Sequence, residues 1–513
     1  MESLKEYVPG MDFVAKTFAG LENVLTAELT ALGAIDAEPI KRGAKFRGDT
    51  AMMYKANYLA GTAIRVLKPI SVFEVTDDQL LYDKVMLTDW TKVFKLEQTF
   101  SVEANVFHSE LTHSHFVALK TKDAIVDQFR DKMGKRPWVD TENPDIFVDV
   151  HISHNLCTIS LDSSGHSLHK RGYRVAADKA PINEVLANGM IRLAGWTGDS
   201  DFYDPMCGSG TIAIEAAMIA MRIPAGYYRK KFAFMNWEDF DESLWLKVKE
   251  EADSEMGELT HKVFASDRSE KAVGFARANL KSAGLHKDIE LHCRFFDAIK
   301  PKEHKGIVMM NPPYGVRLEE RGELRDLYRG IGDALKQNFT GFDAWIITPS
   351  IDTFKFIGLR PARRVPLFNG PIETRLLKFE VYQGSKRYGE ENRDDSAKPF
   401  DRDGGRFKKR FDSSASGERK PFERSRESFS DKRSDFKSRE ERPSWRNKPA
   451  DDGEPRRTRK PPFRETDNRK DDGGRREEWE KSKESTNRRR IRTYVKKDKD
   501  GEPKKPPRKS DDS

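Results

Sequence analysis

A break in composition near residue 382 limits what this chain can fold into. Between residue 389 and the end of the 513-residue chain there is no Leu and no Met, and Ile491 and Val495 are the only aliphatic β-branched residues. A segment with so little to bury cannot offset the entropy of ordering it. Residues 383–513 are therefore expected to form a disordered tail, and the foldable body to end with Leu376-Leu377-Lys378-Phe379-Glu380-Val381-Tyr382. The tail also explains the charge. It holds about 40 Lys and Arg against about 30 Asp and Glu, an excess that covers the formal +8 of the whole chain and leaves the body near neutral. Phe400, Phe407, Phe411, Phe422, Phe429, Phe436, Trp445, Phe463 and Trp479 recur among these cations. Rings that stack on bases beside cations that follow phosphates suit sequence-tolerant RNA binding. A solvated solubility tail is the plainer alternative.

The body has room for two or three domains. Cys157, Cys207 and Cys293 are far apart and form no motif, which fits a reducing compartment rather than a disulfide framework. The opening MESLKEYVPG lacks a basic segment followed by an apolar one, and no apolar run is long enough to span a membrane. The expected location is the cytoplasm, without membrane attachment. His108, His113 and His115 lie close together, but no Cys or carboxylate cluster completes a metal site.

Residues 1–66 read as a small α+β unit. A strand around Phe13–Phe18 precedes a helix with Leu21, Val24, Leu25, Leu29 and Leu32 on one face, closed by Gly33. Residues 67–165 form a second mixed unit, with a helix over His115–Met133 and a hairpin turning at His154-Asn155. From 166 to 382 strands and helices alternate, which predicts a largely parallel, Rossmann-like α/β sheet. Its expected strands are Phe202-Tyr203, Val263–Ser266, Ile289–Cys293, Gly306–Met310 and Ala344–Thr348.

Four signals fall at the ends of these strands. Asp204-Pro205-Met206-Cys207-Gly208-Ser209-Gly210-Thr211 opens a helix, and its glycines let backbone approach a ligand closely. Gly208, Gly210 and Ala213 also fit a dinucleotide pattern, so this loop alone leaves a nicotinamide enzyme open. Asp267 ends the next strand, where an acid can accept both hydroxyls of a ribose. A basic and aromatic insertion, residues 227–251, separates it from the glycines. Asp297 follows the third strand and can accept from an adenine amine; a lone Asp there is otherwise a cap or turn residue. The fourth signal is Asn311-Pro312-Pro313-Tyr314 after Gly306–Met310. The prolines fix φ and cannot donate. The Asn311 side-chain carbonyl and the Pro312 backbone carbonyl can then both accept from one NH2 group, while Tyr314 offers a flat face to a ring.

In this order the signals resemble class I methyltransferases that act on amino nitrogens of planar groups: adenine N6, cytosine N4, guanine N2 and glutamine side chains. The resemblance narrows further on three segments: His169-Lys170-Arg171-Gly172-Tyr173-Arg174 with Ala180-Pro181-Ile182-Asn183-Glu184, Phe232-Ala233-Phe234 with Trp237, and Phe368-Asn369-Gly370-Pro371-Ile372-Glu373. Together they are similar to the THUMP-containing RNA guanine-N2 methyltransferases, and within them to the bacterial group acting on 23S ribosomal RNA. The similarity covers about residues 1–382. In the fused enterobacterial form a second methyltransferase domain follows, where this chain has its polar tail.

The resemblance implies a ferredoxin-like unit (1–66), a THUMP RNA-binding domain (67–165) and a methyltransferase domain (166–382). It implies S-adenosylmethionine as cofactor, held by Asp204, Gly208, Gly210, Asp267 and Asp297. Asn311, Pro312, Pro313 and Tyr314 would carry catalysis, and Lys170, Arg171 and Arg174 would contact RNA. The product would be N2-methylguanosine in 23S ribosomal RNA. Archaeal relatives of similar layout act on tRNA, so tRNA stays open. Two other readings also stay open: a DNA adenine or cytosine amino-methyltransferase, and an RNA-binding assembly factor whose methyltransferase fold is idle.

Overall fold

The computed structural model describes residues 10–178, 181–314, 321–349 and 353–382; the tail read above as disordered lies outside them. The described residues form a mixed α/β structure built on two seven-stranded sheets.

The first sheet has the strand order β2-β3-β1-β4-β7-β6-β5, from β1 (Met11–Lys16), β2 (Ile35–Ile40), β3 (Gly43–Gly48), β4 (Arg65–Glu74), β5 (Phe100–Phe107), β6 (Ile146–Ser153) and β7 (Leu156–Asp162). It is antiparallel except for β5 against β6, which the crossover helix α4 (Ser114–Met133) makes parallel. The tight β6–β7 turn works because His154 and Asn155 both adopt positive φ, 52° and 62°, as a two-residue hairpin turn of matching twist requires. Strand β4 is shared. Its first residues pair with β1, and residues from Leu67 onward pair with β7. The β4–β7 register shifts between Pro69 and Ser71, next to a residue with no N–H to give the ladder. One continuous sheet therefore crosses from the first unit to the second.

The second sheet has the order β10-β9-β8-β11-β12-β14-β13. Five strands are parallel: β8 (Asp201–Asp204), β9 (Val263–Asp267), β10 (Ile289–Cys293), β11 (Gly306–Met310) and β12 (Asp343–Thr348). The last two, β13 (Arg363–Asn369) and β14 (Ile372–Glu380), form a hairpin, and β14 runs antiparallel to β12. Helices α5 (Glu184–Ala194), α6 (Thr211–Ala220), α8 (Glu270–Ser282) and α9 (Arg321–Asn338) accompany this sheet. Its order reverses between β8 and β11, and a ligand crevice forms at the carboxyl ends of strands at such a point. Both β8 and β11 are buried along their whole length, as a strand covered on two faces must be.

The insertion after α6 folds back onto the first unit. Its helix α7 (Glu242–Ser254) packs on α2 (Thr50–Leu59). Phe234 lies 4.5 Å from Tyr54 between ring centroids, and Trp245 stands edge-on to Tyr54 and Tyr58 at 5.9 and 5.3 Å. The Tyr58 hydroxyl donates to Asp253 at 2.6 Å. Phe232, Phe234, Trp237, Trp245, Val248 and Ala252 thus belong to the apolar core of the first sheet.

A largely buried polar seam joins the first unit to the part of the chain built on the second sheet. Glu28 of α1 (Glu22–Ala31) accepts from the amides of Gly61 and Thr62, both at 2.9 Å, and pairs with Arg192 at 2.8 Å. Arg192 donates to Asn188, Asn188 donates to Glu215, and Glu215 pairs with Arg171, which closes the circuit on the Gly61 carbonyl at 2.6 Å. No described helix is long and apolar enough to cross a membrane.

Candidate active site

At the reversal point a cleft of about 480 Å³ opens, lined from four directions. The β8–α6 loop contributes Cys207, Gly208 and Ser209; the tip of β9 contributes Asp267 and Arg268; the segment after β10 contributes Phe295 and Asp297; and the end of β11 contributes Asn311 and Pro313. This volume suits a small-molecule ligand, for which pockets of roughly 300–1,000 Å³ are usual.

The loop earns its glycines. Gly208 has φ +53° with open space where a Cβ would stand, and Gly210, φ +84°, caps the start of α6 with its notional Cβ 3.3 Å from Ala276. A side chain at Gly208 would project into a strained conformation at the mouth of the cleft. The Gly208 amide donates to Asp267 Oδ2 at 3.0 Å, and Ser269 N donates to Asp267 Oδ1 at 2.9 Å. These bonds orient the carboxylate while leaving lone pairs towards the cleft.

Asp204 lies beneath this loop and is completely buried. Its nearest donors are the backbone amides of Met206 and Ala213, and no side chain among the described residues bonds either carboxylate oxygen. Burial, reinforced by the Asp267 charge, holds its carboxyl well above the usual range. The Cys207 thiol is pushed up by burial and by the same two acids, which fits a small packing residue rather than a nucleophile.

Asn311 Oδ1 is buried at the cleft with no hydrogen-bond partner among the described residues. The two prolines behave differently: Pro312 is buried, whereas Pro313 is exposed and lines the cleft. Tyr314 stands outside the lining. Its hydroxyl accepts from Asn369 Nδ2 of β13 at 3.2 Å, and burial pushes its phenol up to about 12. Gly208, Asp267, Asp297, Asn311 and Pro313 therefore meet at one cleft, whereas Asp204 and Gly210 do not line it: Asp204 is completely buried and Gly210 caps the start of α6.

The basic cluster needs correction. Arg171 is 1% exposed and spends its guanidinium on Glu215, the Leu168 carbonyl and the Gly61 carbonyl, so it is not available to RNA. Arg174 faces the protein as well: it pairs with Glu184 at 2.8 Å and donates to Ser209 Oγ and Thr211 Oγ1, both at 2.9 Å, bracing the glycine loop from behind. Lys170 is exposed. Sequence reasoning missed Phe275, Phe295, Arg268 and Ile331 of the lining. Phe295 alone carried a signal, an aromatic two positions before Asp297.

Three family descriptions match in tandem. They are an RlmL ferredoxin-like domain over 12–67, a THUMP domain over 75–162 and an RMKL-like methyltransferase domain over 171–378. A protein of Synechocystis sp. named as a candidate RNA methyltransferase, slr0064, is 39% identical over 371 residues, 72% of this chain and 97% of its own length. The chain belongs to the RMKL-like methyltransferase family. Two ribosomal RNA large subunit methyltransferases K/L, from Syntrophotalea carbinolica and Methylococcus capsulatus, are 38% and 36% identical over 72% of this chain. The chain spans about half their length, 54% and 51%. The crystal structure of SMU.472, a candidate methyltransferase complexed with SAH, shares 29% identity at a TM-score of 0.67, over 74% of this chain and all of that one.

S-adenosylmethionine is accordingly the methyl donor of this RMKL-like enzyme. The residues present fit it. Asn311 offers a buried acceptor that no group among the described residues satisfies, Gly208 leaves backbone open to a ligand, and Asp267 presents an oriented carboxylate. Buried polar atoms without partners are costly, so a ligand that donates to them gains affinity.

Proposed function

We propose that this enzyme methylates the exocyclic N2 of a guanine in RNA, with 23S ribosomal RNA as substrate. The observation that carries the reading is Asn311: a buried side-chain carbonyl with no partner among the described residues, at the end of a buried strand, lining the same cleft as Gly208 and Asp267. An acceptor left open in that position is suited to an NH2 donor. The names of the K/L relatives supply the RNA class, and the THUMP match supports an RNA ligand.

Bound S-adenosylmethionine supplies an electrophilic methyl group on its sulfonium. Asp267 would take the ribose hydroxyls, Asp297 the adenine amine, and the Gly208–Gly210 loop with Asp204 the remainder of the cofactor. A guanine amine is a weak nucleophile because its lone pair is delocalised into the ring. Asn311 Oδ1 and the Pro312 carbonyl would accept its two hydrogens, enriching the nitrogen and aligning it for attack. Pro313 stiffens this turn. Tyr314 would stack on the base, its ring held in place through the bond from Asn369. No strong base is needed, because the proton can leave after the methyl group arrives. The base must be flipped out or come from a loop, since a paired guanine cannot enter such a cleft.

The test is nucleoside mass spectrometry of 23S RNA and tRNA from cells lacking the gene, beside wild type. Loss of one N2-methylguanosine from 23S RNA is the expected result. Loss from tRNA alone moves the substrate and keeps the chemistry, and loss of a methylated adenine or cytosine overturns the assignment of the base.

A further inference from the structure

The insertion after α6 brings exposed cations to the junction of the two units. Residues 228–231 run directly beside 170–172. Arg229 donates to four backbone carbonyls of the facing segment, those of Ser164, His166, Ser167 and Lys170, at 2.8–3.2 Å. Its guanidinium also lies 5.1 Å from the centre of the Phe232 ring. Gly172 permits the approach: with φ +104°, its notional Cβ would sit 2.5 Å from the Tyr228 carbonyl. Arg229 thus acts as a clamp, and Lys170, Lys230 and Lys231 emerge exposed on either side of it. None of the three takes part in a described ion pair, whereas the neighbouring Arg171 and Arg174 are consumed internally.

Glu215 and Glu184 neutralise Arg171 and Arg174, so the exposed positive charge here is that of Lys170, Lys230 and Lys231. Burial and the charges of Lys170, Arg171, Arg174 and Arg229 together pull the His169 imidazole down to about 4. The chain then continues from Lys170 to Arg174, which grips Ser209 at the glycine loop, and on to Asp178 at the rim of the cleft. Eight residues span at most about 28 Å, so the cations stand within a few nucleotides' reach of the reacting base.

We propose that Lys170, Lys230 and Lys231 form a single phosphate-binding surface that holds the RNA backbone next to the nucleotide entering the cleft. The partner follows from the proposed RNA substrate: closely set ammonium groups with no carboxylate partners suit a polyanion, and contacts to phosphate position without reading sequence. On this account the insertion performs two tasks, anchoring by its aromatic half and gripping RNA by its basic start.

The experiment compares the full wild-type chain with Lys170→Gln/Lys230→Gln/Lys231→Gln in binding to a 23S RNA transcript across a salt series. The comparison variant, Lys281→Gln/Lys287→Gln/Lys305→Gln, removes the same charge from exposed sites elsewhere. The expected result is that the slope of log affinity against log salt falls by about 2–3 for the junction variant, with affinity reduced roughly tenfold or more, while S-adenosylmethionine titration and Tm match wild type. An unchanged slope, or an equal loss in the comparison variant, overturns the proposal while leaving the methyltransferase reading intact. A wild-type chain that binds neither this transcript nor bulk tRNA overturns both.

Discussion

The Gly208 amide donates to the Asp267 carboxylate at 3.0 Å, so the loop after β8 and the tip of β9 are one hydrogen-bonded unit although 59 residues separate them. The acid is oriented before any ligand arrives, which lowers the cost of ordering it on binding.

Asp267→Ala removes both that brace and the acceptor proposed for the ribose. S-adenosylmethionine affinity should fall by roughly 10–100-fold, the scale of hydrogen bonds to a charged group. RNA affinity should stay within about twofold. Calorimetric titration of the cofactor and a separate RNA-binding assay check the two halves; an unchanged cofactor titration counts against the role.

Asn311→Ala deletes the unpartnered acceptor at the cleft. Because the lost contact acts on the reacting nitrogen, kcat should drop by roughly 10²–10³-fold, as when an aligned polar group is removed from a developing charge. Cofactor binding should persist. Turnover comparable to wild type in this variant would remove Asn311 from the chemistry.

Asp204 carries a pH signature. Its folded-state carboxyl titrates well above the unfolded value near 3.8, because burial and Asp267 disfavour the charge. The folded form therefore binds the proton more tightly than the unfolded form. This contribution to stability is complete below the unfolded value and drains as pH rises towards the folded one. In the ligand-free enzyme, Asp204→Asn should flatten the decline in Tm over that range. Parallel declines for the two proteins in calorimetry would refute the assignment.

Arg171 and Glu215 form a pair whose side chains are 1% and 0% exposed. Arg171→Ala leaves Glu215 buried and the Gly61 carbonyl without its donor, a loss of about 3–5 kcal/mol. Arg171→Met with Glu215→Leu should cost less than the single change, since no isolated charge remains. Urea unfolding measures both; a single variant within about 1 kcal/mol of wild type contradicts the account.

The site was legible where one strand end determines one residue's place. The glycine loop, Asp267, Asp297 and Asn311 could be read in order because each follows an apolar strand run, and a parallel sheet brings such ends together. What pairs over long range was hidden. Arg171 and Arg174 look like an exposed basic run, and nothing nearby marks the carboxylates they meet, Glu215 lying 44 residues on and Glu184 ten. Phe368-Asn369-Gly370-Pro371-Ile372-Glu373 is legible as a motif, but its turn chemistry says little about a β13–β14 hairpin joining β12 in the reverse direction. The aromatics between 232 and 245 announced burial without saying against which unit.

That last arrangement bears on how the enzyme is made. The core beside the first sheet includes Phe232, Phe234, Trp237, Trp245, Val248 and Ala252. A ribosome that has released residues up to 162 has delivered every strand of that sheet but none of these side chains. At roughly 5–20 residues per second, several seconds pass before α7 emerges. The nascent amino-terminal half must wait with Tyr54 and Tyr58 uncovered, and a chain truncated within the α6–α7 interval would leave the cell a protein with every strand of its first sheet and no lid on its aromatic core.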